Sequence, residues 1–169
     1  MAEALDLKFA LQLVGSLTNA QALTTPSDPV NQKYTIPFSN GTAANQGNML
    51  WHDQRTIAAS GTENLDMAGS LVSDFGTTIT FTVLKGIVVY AATANTNNVD
   101  ISRPSSNGLV LFAAASDKLA GIRPGGLFAW IDPSAAGLTV TAGSGDLLTF
   151  TNSAGSTGVT YDVWLFGEV

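Results

Sequence analysis

Residues able to do chemistry are few in this chain, and they are scattered. The one histidine, His52, stands in the run Trp51-His52-Asp53, and none of the 169 residues is a cysteine. Thiolate nucleophiles, disulfides and Cys-ligated metals are therefore excluded. A His-Asp neighbour pair can be written as half of a catalytic relay. Adjacent residues of a strand, however, point to opposite faces and cannot share the hydrogen bond that such a relay needs. A single histidine also gives no second imidazole for a zinc site, and no Gly-x-Ser-x-Gly elbow occurs. His52 reads as an ordinary strand or surface residue.

The acids are dispersed as well. Asp66, Asp74, Asp100, Asp117, Asp132, Asp146 and Asp162 fall mostly at the ends of apolar runs, where aspartate caps turn backbone. Loops can bring two carboxylates together as a glycosidase pair or a calcium site. No Asp-x-Asp-x-Asp-Gly run supports calcium, and the turn role is the stronger reading. Gly125-Gly126 and Gly143-Ser144-Gly145 lack the Lys-Ser/Thr pair and the following helix of a phosphate loop, so they read as turns. Asn40-Gly41-Thr42 fits a glycosylation acceptor, and with no secretory signal ahead of it a turn is expected instead. Trp51, Trp130 and Trp164 could form a sugar platform, but each lies in a strongly apolar run, which favours core or interface. No catalytic, cofactor-binding or metal-binding residue is expected, and the chain reads as a non-enzyme.

Charge narrows the partners further. Lys8, Lys33, Arg55, Lys85, Arg103, Lys118 and Arg123 stand singly in a chain of net charge −6. Without a basic cluster to neutralise a row of phosphates, neither nucleic acid nor an anionic membrane surface is an expected partner. The first residues, Met1 to Val14, carry Glu3 and Asp6 and alternate in polarity, unlike a signal peptide or a membrane span. A soluble protein made in the cytosol is expected. Only 12% of residues are charged while 45% are hydrophobic, and so little charge is tolerable where part of the surface is covered by other subunits.

The elements that carry these residues are strands. Leu5, Leu7, Phe9, Leu11 and Leu13 alternate with polar or small neighbours, a period of two with one buried face. Gly15 to Gln32, with Pro26 and Pro29, reads as a long loop or an extended arm. Tyr34, Ile36 and Phe38 alternate again, ahead of a turn at Asn40-Gly41. Thr56 to Met67 should be extended, with a break near Ser60-Gly61. Thr77 to Ala92 should be one kinked strand or two, and a helical turn could lie near Met67 to Asp74. Shorter strands are expected at Val99 to Ile101, Leu109 to Phe112, Lys118 to Arg123, Leu127 to Ile131, Leu138 to Thr141, Leu147 to Thr151 and Val159 to Phe166. Turn signals every eight to twelve residues or so, with no helical periodicity, predict one domain over 1–169. Its fold class is all-β, an antiparallel β-sandwich, jelly-roll-like, with roughly nine or ten strands and an extended N-terminal arm, the arm or long-loop region covering 15–53.

Leu84 to Tyr90, Leu109 to Phe112, Leu127 to Ile131 and Val163 to Phe166 are apolar on both faces. A two-layer sandwich strand facing water should alternate, so these need a third layer or another subunit. With no helix in the chain, another subunit is the simpler cover. In the last strand Val159, Tyr161, Val163 and Leu165 share one side, and Trp164 and Phe166 share the other. Phe128, Trp130, Trp164 and Phe166 are therefore the candidate subunit interface.

Three stretches carry a family resemblance. They are Asn64 to Leu71 with Asp74-Phe75-Gly76, Ile79 to Phe81 with Lys85 to Val89, and Ile122 to Phe128 with Gly137 to Leu148 and Val159 to Val163. They make the chain from about Gln54 onward resemble small structural proteins of tailed bacteriophages, of the capsid decoration or cement type. The resemblance implies a β-rich homotrimer on the outer surface of a major capsid shell, with the major capsid protein as partner and the virion as location. It also implies an N-terminal arm reaching across to neighbouring capsid subunits. A tail, neck or fibre-base subunit would share this composition. A carbohydrate-binding module is the reading from another class.

Overall fold

The computed structural model describes residues 4–169. Among them every regular element is a strand, and nearly all pairings are antiparallel. The first alternating run and the Tyr34-Ile36-Phe38 run pair with each other. β1 (Asp6–Thr18) and β2 (Ser27–Asn40) form a long hairpin in unbroken register from Asp6 opposite Ser39 to Thr18 opposite Ser27. Residues 15–32, which the sequence leaves as a loop or arm, are the outer half of this hairpin. Pro29 and Pro37 are compatible with it because both have even spacing along β2 and can turn their donor-less nitrogens to the edge away from β1. At the hairpin base the short β3 (Gln46–Gly47) adds to β2 in parallel.

The body is two sheets facing each other. One has the order β10 (Leu127–Ile131), β8 (Val83–Ala91), β13 (Val159–Glu168) and β4 (Met49–Ile57), with β11 (Leu138–Thr139) also on β8. The other runs β5 (Thr62–Asp66), β12 (Leu147–Asn152) and β9 (Val99–Ser102). A ribbon of β6 (Ala68–Val72) and β7 (Thr78–Thr80) completes the set. The expected break near Ser60 is the turn between β4 and β5, closed by the Gly61 amide on the Ala58 carbonyl with Ser60 at a φ of 56°. Within Met67 to Asp74, Ala68–Val72 is strand, and no helical turn forms there. Leu109 to Phe112 and Lys118 to Arg123 are not regular strands either. Their backbone joins the sheets only through single bridges, such as Ser102 with Lys118 and Val99 with Ile122.

The core lies between the two sheets. Val159, Tyr161, Val163 and Leu165 of β13 and Ile87, Val89 and Ala91 of β8 face Leu65, Ile101, Leu148 and Phe150 of the other sheet. The rings of Phe150 and Tyr161 stack at 4.8 Å with an interplanar angle of 3°. Aromatic packing of this kind adds to simple area burial. Tyr161 brings a hydroxyl into the core, and that hydroxyl donates to Glu63 at 2.9 Å. Arg55, opposite Tyr161 in the register, donates from Nε and Nη2 to the same carboxylate. At one end of the body Asn97 donates to the Asn152 side chain at 3.0 Å, and Asn152 donates to the Ala58 and Thr157 carbonyls.

Candidate interaction surface

The polar residues singled out in the sequence are spread over the surface in separate local roles. Asp66, Asp117, Asp132 and Asp146 each accept a backbone amide close by in their turns, from Ala68, Ala114, Ser134 and Gly143. Asp162 accepts from Gln54 across the strand pair. Asp53 pairs with Arg55 rather than with its neighbour His52. His52 Nε2 instead lies 3.3 Å from Asp74 Oδ2, at a rim where both side chains are more than half exposed. Ser73 lines the same shallow recess, but its hydroxyl oxygen accepts the Thr77 amide. With Nε2 turned to the carboxylate, this histidine is not arranged as the base of a serine relay, in which Nε2 faces the nucleophile. Among the described residues no group of three or more His, Asp or Glu side chains is placed to hold a metal ion.

The strongest electrostatic cluster is structural. Burial pushes the Tyr161 hydroxyl well above its ordinary range, and the Glu63 carboxylate beside it adds to the rise. The hydrogen bond to Glu63 raises Arg55 in turn. Lys85, fully buried at the bulge that interrupts the β8–β13 pairing, donates to the Ser134 and Ala135 carbonyls and lies 3.1 Å from Glu168. No sequence pattern flagged this pair. Lysine in an apolar run was the only available signal.

The surface that stands out is apolar. In the five-stranded sheet the register places Leu50, His52, Val88, Leu127, Trp164 and Phe166 on the face away from the core. Phe128 and Trp130 pair with Val89 and Ile87 on the inner face and pack against the core. The four aromatics named from sequence therefore do not form one patch. β8 also stands between their two strands. The cause is parity: the position outward on β10 beside Trp164 is held by Ala129, with Leu127 two residues on.

Cover for the outer face begins within the chain itself. The apolar face of the hairpin, Leu7 and Phe9 on β1 with Phe38 on β2, turns to this sheet. Phe38 is buried and meets Phe166 edge-on, with ring centroids 5.0 Å apart. Gly86 lies beneath that ring. A Cβ there would stand 2.2 Å from Phe166 Cζ, which is why β8 has a glycine at its centre. The expected second subunit is thus not needed over Phe166. Trp164, 36% exposed, and Leu127, 60% exposed, are not covered by the hairpin. These two border an open groove of about 620 Å³ between the hairpin base and the sheet.

Beyond the base, the hairpin leaves the body. Every residue from Ala10 to Thr35 is exposed. At about 3.4 Å per residue, β1 from Ala10 to its end reaches roughly 25–30 Å outward. The same face carries Leu11, Leu13, Leu17, Val30 and Tyr34 into solvent, interspersed with Gly15, Gln32 and Asp28.

No protein-family model matches this chain, and no curated protein does. Among solved structures, one chain of the "Cyanophage Pam1 capsid asymmetric unit" is similar over 72% of this chain and 86% of that chain, at 16% identity and a TM-score of 0.28. At that TM-score the two paths diverge too far for a shared fold to be read from them.

Proposed function

We propose that this chain is a non-enzymatic structural subunit of a tailed-bacteriophage virion. In this reading it is a capsid decoration or cement protein, assembled in the host cytoplasm and bound as a homotrimer to the outer surface of the major capsid shell, which it stabilises. One observation carries the assembly role: a hairpin extends from the body with an apolar face in solvent. A two-stranded ribbon alone is at best marginally stable in water, and contiguous exposed apolar surface marks contact with a partner. The phage setting, the trimer and the capsid as partner are supported by the sequence resemblance of residues 54–169.

The test is reconstitution. Purified chain is added to capsid shells assembled without it, and the particles are imaged by cryo-electron microscopy and heated. Saturable density at three-fold positions and a raised disruption temperature are expected. Density confined to the tail or neck would move the protein elsewhere on the particle. A specific sugar on a glycan array, with no binding to any particle, would replace the reading with a carbohydrate-binding one.

A further inference from the structure

We infer that the outer half of the hairpin docks on a second copy of this chain, in the groove bordered by Leu127 and Trp164. This deepens the reading of the chain as an assembly subunit and rests on it, but it concerns contacts between copies and not the capsid.

The donor is the strip Leu11, Leu13, Leu17, Val30 and Tyr34. The acceptor is the open groove over the outer sheet face. The two match in chemistry because the hairpin's inner half already makes this contact within the chain. The same face of the same ribbon, through Leu7, Phe9 and Phe38, lies against the same sheet, with Phe38 seated on Phe166. Docking by a neighbour's strip would extend that contact rather than create a new kind.

The outer strip cannot serve its own groove. Pairing of β1 with β2 runs from Asp6 to Thr18 without a bulge, so no hinge lets the ribbon fold back. Among the described residues, none covers the strip or fills the groove. A second copy supplies both at once, whereas paired arms would leave the groove open. Charge agrees at one pair: Asp28 is the strip's carboxylate and Lys8 lines the groove, where His52 already faces Asp74.

On the donor side, five large side chains at roughly 100 Å² each offer about 500 Å² of surface to a partner. Each copy donates one strip and receives another, so a closed ring doubles the buried area per copy. Donor and acceptor are different surfaces, so the contact closes either as a two-fold exchange of arms or as a head-to-tail ring, and the ring of three follows from the proposed trimer alone. A second feature agrees with an unfinished assembly. β1 is an edge strand with no proline and no charge from Phe9 to Thr18, whereas edge strands left in solvent usually carry such blocking residues.

The experiment is done without capsids. Wild-type chain, the double variant Leu13→Asp/Leu17→Asp and the variant Leu127→Asp are compared by analytical ultracentrifugation at micromolar concentration. All three substituted positions are exposed, so folding is checked by an unchanged circular dichroism spectrum. Wild type should be oligomeric, and each variant should weaken association at least 100-fold. The absence of cysteine allows a direct test of the contact. Leu13→Cys and Leu127→Cys proteins are mixed and treated with a short bis-maleimide. Cross-links between the two different proteins are expected. Cross-linking only within the Leu13→Cys sample would mean that arms pair with arms, and would overturn the inference. A monomeric wild type, whose arm variants lose only capsid binding, would make the capsid the strip's partner and overturn it while leaving the decoration role standing.

Discussion

Phe38 of the hairpin and Phe166 of the last strand meet edge-to-face at 5.0 Å and 68°, and this contact joins the arm to the body. Both rings are almost fully buried although each lies on a sheet surface that would otherwise face water. Phe166 needs the cleft left by Gly86, and Phe38 needs Phe166 as its floor. Three residues distant in sequence thus set the angle at which the arm leaves.

Loss of either ring should free the arm without unfolding the body. Phe38→Ala is expected to cost about 3 kcal/mol of hairpin docking. Hydrogen exchange should then rise across the β1–β2 amides at Leu5–Phe9 and stay unchanged at β12 and β13. Equal acceleration everywhere would mean that the contact supports the whole fold.

Gly86→Ala should act on the same joint from below. The new methyl would overlap the Phe166 ring, a strain of about 1–3 kcal/mol for overpacking. Its effect and that of Phe38→Ala should be less than additive, because both displace the same ring. Full additivity in a thermal-unfolding cycle would separate them.

Tyr161 should make the fold labile to alkali. Its folded pKa is raised above the unfolded value near 10, so the folded state holds a proton that the unfolded chain releases. Stability is then fully present below about pH 10 and falls above it, by up to about 1.4 kcal/mol per pH unit. Tyr161→Phe should flatten that fall while lowering stability at neutral pH, since Glu63 loses a donor. A variant as steep as wild type between pH 10 and 11.5 in urea titrations would assign the effect to another group.

The Lys85–Glu168 pair should show the asymmetry of buried ions. Lys85→Met leaves Glu168 buried beside unpaired carbonyls, a loss of about 3–5 kcal/mol. The double variant Lys85→Met/Glu168→Gln should recover part of it. A double variant less stable than the single would show that the charge of Glu168 is needed for its own sake.

The outer arm should be dispensable for folding. Gln12 already faces Lys33 in the register, so replacing residues 13–32 with Asn-Gly closes a two-residue hairpin. The body's melting temperature is expected to stay within about 2 °C, while capsid shells should bind the shortened chain poorly. A cooperative loss of the whole fold would place the arm in the core's stability instead.

Much of this was written in the order of residue types alone. Period-two alternation identified the inner part of β1 and the inner half of β2, and an apolar run bounded by turn signals identified the last strand. It divided Val159, Tyr161, Val163 and Leu165 from Trp164 and Phe166 as the structure does, because side-chain direction along a strand is fixed by covalent geometry. The aspartates at turns were legible for the same local reason. Tertiary structure alone decided which strand lies beside which, and with it the face each apolar strand turns inward. Where both faces are apolar, as at Leu127 to Ile131, period and composition are the same for either choice. Only the register with β8 sends Phe128 and Trp130 to the core and leaves Leu127 outside. The pairing within the arm was hidden likewise: residues 15–32 read as a long loop or an extended arm, and 15–18 and 27–32 are strand because each ladder position there has a partner across the hairpin. Backbone pairing is a long-range contact, and no local pattern encodes its partner.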